Sequence, residues 1–324
     1  MQMISYVIPC YRSAKTIGGV VAEIREKMQS LTKYTYEIIL VNDCSPDDTF
    51  DVIRTLALED PKITAIDFVR NFGQHSALMA GLRQSAGDIV ICLDDDGQTP
   101  ADEADKLVAA LEEGADVAYA RYSHKKHSLF RNFGSYVNEK MAEFMLEKPK
   151  PLIVSSYFAA KRYIVNDMIR YENSFPYVIG LVLRSTKNIV NVDVNHRNRE
   201  VGESGYTLKK LLGLWMNGFT SFSVKPLRIA TVLGVISALA GFLYGIVIII
   251  QHFVLPDRVV GFASLVAIMV FFGGMIMIML GLIGEYVGRI YISMNASPQY
   301  IIKQIVKKDM TEAADAEKRP DDNV

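Results

Sequence analysis

The chain has 324 residues, half of them hydrophobic, and a formal net charge of −1 at neutral pH. That length allows a sizeable core and more than one folded unit, while the near-neutral balance without a long basic stripe speaks against a nucleic-acid partner. Three cysteines far apart in sequence, Cys10, Cys44 and Cys92, exclude a disulfide framework or a thiolate metal site and read as small hydrophobes in a reducing compartment.

From the N-terminus, short runs rich in β-branched residues alternate with segments of helical periodicity. Strands are predicted at 4–10, 36–42, 63–69 and 88–93, and helices at 15–31, 47–59, 74–86 and 101–114. Such alternation predicts an α/β fold: a Rossmann-like, mostly parallel sheet with helices on both faces. Ligands of these sheets bind beyond the carboxyl ends of the strands. Those ends carry PCYR, NDCSPDD, RNFGQH and DDDGQTP, four polar segments on one rim. No G-x-G-x-x-G follows the first strand and no Walker loop is present, which disfavours a dinucleotide oxidoreductase or a P-loop NTPase. The run MQMISYVIPCYR is expected to form a strand rather than a signal peptide.

Residues 121–150 are basic with helical character, and 152–200 return to mixed strand and helix. The segment 206–224, with the single tryptophan Trp215, suits a helix lying in a membrane interface or an ordinary packing helix. Two uncharged apolar runs follow, 229–250 and 259–284. Each exceeds the roughly 20 residues that cross a bilayer as a helix, so a transmembrane hairpin is expected. Lys225 and Arg228 precede it and Arg289, Lys303, Lys307 and Lys308 follow, against Arg258 alone in the turn. The positive-inside rule then places both ends in the cytoplasm, as a multi-pass protein of the cytoplasmic (inner) membrane.

The triplet Asp94, Asp95 and Asp96 ends the fourth strand. Adjacent carboxylates repel one another and resist burial. Alternation along a strand lets Asp94 and Asp96 share a direction while Asp95 points away. Two convergent carboxylates with Gln98 beside them suit a hard divalent cation that also holds diphosphate oxygens. The alternative is acid clustering at the start of the following helix.

The blocks VIPCYRSAKTI, VNDCSPDDT, NFGQHSALMAGLRQSAGD and DDDGQTP, in that order, resemble the successive motifs of family 2 glycosyltransferases with the GT-A fold. Continued through REVGESGYTLKKL and GLIGEYVGRIY, over roughly residues 3–305, the chain is similar to membrane-bound polyprenyl-phosphate glycosyltransferases. Within that group it resembles the undecaprenyl-phosphate formamido-arabinose transferases and, more distantly, the dolichol-phosphate mannose synthases. The resemblance implies that Asp94, Asp96 and Gln98 hold Mg²⁺ or Mn²⁺ on the diphosphate of a UDP-sugar. It implies that Asp43 reads the base, that Pro9 and Tyr11 line the nucleotide, and that Arg199 and Ser204 lie near the donor and acceptor phosphates. It also implies a homo-oligomer, since relatives form tetramers. The implied plan is a GT-A catalytic domain at 1–205, juxtamembrane interfacial helices at 206–226, two transmembrane helices at 227–290, and a cytoplasmic C-terminal segment and tail at 291–324.

Several positions depart from the family pattern. Asn42 stands where the family has the first acid of a pair, Cys44 where it has glycine, and Arg12, Ser13 and Ala14 where acidic residues are common. Ser155 and Ser156 occupy the region of an aspartate proposed as a base in many relatives, and Gly205 that of a lysine. A base is dispensable on chemical grounds, because a phosphate monoester has its second pKa near about 6 and is mostly dianionic in the cytoplasm. What two anionic partners need is fixed positive charge, for which Arg121, Arg131, Arg199 and Lys209 are candidates. The alternative for Arg131 and Lys209 is snorkelling to lipid headgroups. The expected activity is inverting transfer of a sugar to polyprenyl phosphate in the bilayer. The substitutions at Asn42, Arg12 and Ser155 leave open a catalytically degraded scaffold or nucleotide-sugar sensor.

Overall fold

The computed structural model describes residues 1–122, 143, 148–195, 225–254, 262–295 and 297–308. The chain divides into two compact units, Met1–Leu211 with Pro298–Val324, and Leu212–Ser297.

The first unit is built on an eight-stranded sheet in the order β7-β5-β6-β4-β1-β2-β3-β8. Its first half runs β1 (Gln2–Cys10), α1 (Ile17–Ser30), β2 (Tyr34–Asn42), α2 (Thr49–Glu59), β3 (Ile63–Phe68), α3 (Gln74–Gln84) and β4 (Ile89–Cys92). A 3-10 turn (Ala101–Glu103), α4 (Ala104–Glu112) and β5 (Val117–Tyr122) follow. Then come β6 (Phe158–Lys161), α5 (Arg162–Met168), α6 (Val178–Ser185), β7 (Ile189–Val194) and, far downstream, β8 (Ile302–Lys307).

β4, β1, β2 and β3 are mutually parallel, as the strand–helix alternation predicts. β1 is buried from Ile4 to Cys10 because it is covered on both faces. Ile4, Tyr6, Ile8 and Cys10 join the core shared with α1 and α4, whereas Val7 meets α3 on the other face. There a Cβ at Gly81 would lie 2.3 Å from Val7 Cγ1, so only glycine lets the helix sit this close.

β8 corrects the domain plan read from the sequence. Residues 302–307 pair antiparallel with β3 and complete the sheet, rather than belonging to a separate C-terminal segment. Leading into it, Gln299 Nε2 donates to the carbonyls of Tyr171 (2.7 Å) and Asn173 (2.9 Å). Tyr300 stacks on Phe68 with ring centroids 5.2 Å apart. The pattern IKQIVK is short, half polar and mostly exposed, and its pairing partner lies far earlier in the chain, so local periodicity does not reveal it.

The second unit contains two apolar helices, α7 (Lys225–Val254) and α8 (Phe262–Met294). Leu227–Val247 and Ile268–Met294 are long and apolar enough to cross a membrane, each with mean hydropathy 2.1. Their side chains face outward, Phe242 and Met277 being 68% and 69% exposed. The helices touch where the Ser237 hydroxyl meets Met275 Sδ at 3.5 Å. Most of 121–150, all of 206–224 and the tail from 309 lie outside the described residues.

Candidate active site

Four parallel strands deliver their carboxyl ends to one rim, and the triplet after β4 is sorted there into three roles. Asp94 is held from two sides: Gln74 Nε2 donates to Oδ1 at 3.0 Å, and the Ser156 hydroxyl donates to Oδ2. Asp95 turns the other way, toward the end of β1, where its Oδ2 accepts the Tyr11 N–H at 2.9 Å. The Thr16 hydroxyl donates to the Asp95 carbonyl at 2.6 Å. Asp96 accepts the Gln98 N–H at 3.1 Å across Gly97, whose φ of 73° this turn requires.

Electrostatics follow this division. Burial, foremost, pushes the Asp95 carboxyl up to about 6; the Tyr11 N–H opposes the rise and the neighbouring Asp94 charge adds to it. The Tyr122 hydroxyl is pushed up to about 12, by burial first, with a hydrogen bond to Thr99 opposing and the Asp94 and Asp96 charges adding. Asp95 thus faces the end of β1 while the charges of both outer carboxylates are felt at Tyr122, and all three lie past Cys92, the last residue of β4.

Among the described residues, no group of three or more histidine, cysteine or carboxylate side chains converges on one point. Two carboxylates and the neighbouring amide of Gln98 offer oxygen donors alone and too few to enclose an ion. That set fits a hard dication completing its shell with water and diphosphate oxygens, and does not suit zinc or copper.

Asp43 lies on the same rim but is only 4% exposed. Its two oxygens accept the N–H groups of Phe72 (2.7 Å) and Gly73 (2.8 Å), and its carbonyl accepts Asn71 Nδ2 at 3.1 Å. Burial raises its carboxyl above the usual range, with those two N–H groups opposing. In this geometry Asp43 fixes the loop that carries Gln74 into α3. Asn42 bonds the buried Asp67 through Nδ2 at 2.8 Å and accepts the Ser45 N–H at 3.2 Å. An aspartate at 42 would set two buried carboxylates against each other, so the departure from the family's acid pair has a local cause.

Pro9 is buried within β1 opposite Val41, and Tyr11 is 45% exposed just beyond it. Arg12 and Cys44 adopt φ of 59° and 50° on this rim, Cys44 doing so where the family pattern has glycine. Arg121 projects from β5 and forms a two-pronged ion pair with Asp193 of β7, at 2.6 and 2.8 Å. The Ser155 hydroxyl donates to the carbonyls of Ala120 and Tyr157, unlike Ser156. Arg131, Arg199, Ser204 and Lys209 lie outside the described residues. Gln74 escaped the reading of the sequence as a site residue, although RNFGQH was placed on the rim; its signal was position, not residue type.

Comparison with known proteins meets this geometry. The model for glycosyl transferase family 2 matches residues 5–169, and that for the GtrB C-terminal hairpin matches residues 225–290. An undecaprenyl-phosphate 4-deoxy-4-formamido-L-arabinose transferase from Yersinia enterocolitica is 33% identical over 319 residues, 96% of each chain. Its namesake from Proteus mirabilis is 34% identical over 94% of each chain. A solved structure of glucosyl-3-phosphoglycerate synthase from Mycobacterium tuberculosis with UDP superposes at a TM-score of 0.47 and 22% identity, covering 65% of this chain and 75% of that one. With its mostly parallel GT-A sheet, its acidic rim and its apolar C-terminal helices, the chain belongs to glycosyl transferase family 2.

Proposed function

We propose that the protein moves a sugar from a UDP-sugar to a polyprenyl phosphate, of the undecaprenyl type, with inversion at the anomeric carbon, in the building or modification of cell-envelope glycan or lipid. The observation that supports this reading is the acidic triplet beyond β4, where Gln74 and Ser156 hold Asp94, Asp95 turns to the Tyr11 N–H, and Asp96 accepts the Gln98 N–H. The names of the 33–34% identical relatives support undecaprenyl phosphate as acceptor.

Asp94, Asp96 and Gln98 are the residues that would hold Mg²⁺ or Mn²⁺, which would offset the charge of the donor diphosphate and of its departure. The nucleotide lies along Pro9 and Tyr11, with Asp43 shaping the pocket through the 71–73 loop. The acceptor phosphate is its own nucleophile, being largely dianionic at neutral pH, so no side chain need remove a proton. Its charge is met by Arg199, Ser204, Arg131 and Lys209, and by Arg121 once that residue exchanges Asp193 for phosphate. The hairpin spans the cytoplasmic membrane with the catalytic unit and both termini on the cytoplasmic side, the segment 206–226 lies in the interface, and the assembly is a homo-oligomer, a tetramer by resemblance.

The test is incubation of the purified protein with undecaprenyl phosphate, Mg²⁺ and a panel of radiolabelled UDP-sugars. A lipid-linked product with one donor is the expected result. No product with any donor would move the reading to a degraded scaffold or sensor.

A further inference from the structure

Asp94 is fixed by two neutral donors from separate elements. Gln74, the first residue of α3, reaches Oδ1 at 3.0 Å. Ser156, in the loop ahead of β6, reaches Oδ2. β6 is the neighbour of β4 in the sheet, and α3 packs on β1 and β2, so the two donors arrive from different directions. Each is itself placed. The loop before Gln74 is tied down by Asp43 on the Phe72 and Gly73 N–H groups, and the Gly73 carbonyl accepts the N–H groups of Ser76 and Ala77. Ser156 is flanked by Ser155, anchored to the Ala120 and Tyr157 carbonyls, and by Tyr157, whose hydroxyl donates to the Pro100 carbonyl at 3.1 Å.

We propose that Gln74 and Ser156 are positioning residues that hold the Asp94 carboxylate in one orientation for a dication. Neutral donors suit this task. A lysine or arginine in either place would fix the carboxylate equally well but would repel the incoming cation and weaken its hold. Two donors on opposite oxygens also remove the rotation a free aspartate would lose on binding, so that ordering is complete beforehand. Ser156 thereby has a role that requires no proton transfer, at a position where a base has been proposed in relatives. The inference rests on the reading of Asp94 as a cation ligand.

The test uses full-length protein in detergent with UDP present, and follows free Mn²⁺ by electron paramagnetic resonance. Variants are Gln74→Ala, Ser156→Ala, the double variant, and Ser156→Thr, which keeps the hydroxyl. Each alanine variant is expected to raise the Mn²⁺ Kd by about tenfold and the double by up to about a hundredfold, the range for groups that orient metal ligands. Turnover recovers at saturating Mn²⁺, Ser156→Thr stays near wild type, and melting temperatures are unchanged. Unaltered Mn²⁺ affinity in the double variant, with the wild type binding normally, overturns the proposal alone. So does loss of turnover in Ser156→Ala that persists at saturating Mn²⁺ with a changed pH profile. Failure of the wild type to bind Mn²⁺ at all overturns the cation role of Asp94 beneath it.

Discussion

Replacing Asp95 by asparagine isolates the energetic consequence of enclosing the middle carboxylate. Burial lifts its folded-state pKa from 3.8 to about 6, which corresponds to about 3 kcal/mol as an upper bound. Because the folded value lies above the unfolded one, the folded state holds the proton more tightly. The favourable contribution is complete below 3.8 and is lost as the pH rises through about 6. At neutral pH the fold therefore carries an ionised Asp95 at a cost that acidification relieves. Asparagine keeps an acceptor for the Tyr11 N–H and removes the charge. The variant should melt higher than wild type near about pH 7.5, by at most about 10 °C for a unit of this size, and the gap should close toward about pH 4.5. Thermal scans by circular dichroism in detergent, with EDTA and without nucleotide, measure this directly. A variant that melts no higher at neutral pH, or a gap that persists on acidification, refutes the burial argument.

Asp96→Asn should abolish lipid-linked product while leaving the melting curve in place, as scored by the transfer assay alongside thermal scans. Cys44→Gly relieves a left-handed backbone at φ 50° and should stabilise by about 0.5–1 kcal/mol, the left-handed penalty being partly offset by glycine's greater unfolded freedom; denaturant titration reads the difference. Gly87→Ala would set a Cβ 2.7 Å from the Met3 carbonyl and 2.8 Å from the Ser5 nitrogen. Because those are backbone atoms that cannot step aside, destabilisation of about 3 kcal/mol or more is expected in the same titration. Arg121→Ala should lower transfer by about a hundredfold if the guanidinium meets the acceptor phosphate, whereas Asp193→Asn, which only releases it, should not; equal transfer in both variants would confine Arg121 to its ion pair.

The first four strands and helices were legible because each is a local pattern. ISYVIPC and YEIILVN are mostly apolar, broken by Ser5, Glu37 and Asn42, since β1 from Ile4 and β2 from Ile38 are buried, and the observed strands start and stop within two residues of the periodicity and the helices within three. The rim was legible for the same reason: strand ends carry the polar segments. Orientation at the rim was not. Nothing in NDCSPDD says that Asp43 turns inward onto the Phe72 and Gly73 N–H groups, because that choice depends on where a loop from the next strand passes. Gln74 was hidden likewise, since a glutamine opening a helix is unremarkable until β4 sets Asp94 beside it.

β8 shows why the hidden part bears on the visible one. Without it β3 would be an open edge, a row of unpaired backbone groups. With it, Lys303 lies 3.4 Å from the buried Asp67, and Asp67 in turn holds Asn42 at the end of β2. Tyr300 stacks on Phe68, the last residue of β3, and Phe68 meets Phe72 edge-on with centroids 5.8 Å apart. The loop that starts after β3 is therefore framed by β8 and its lead-in on one side and by Asp43 on the other, and it delivers Gln74 to Asp94. Residues following the second apolar helix thus return to steady the strand ends from which the site is made. Edge covering and site alignment are achieved by the same six-residue strand, so a loss of β8 pairing would register at the rim as well as in the stability of the sheet.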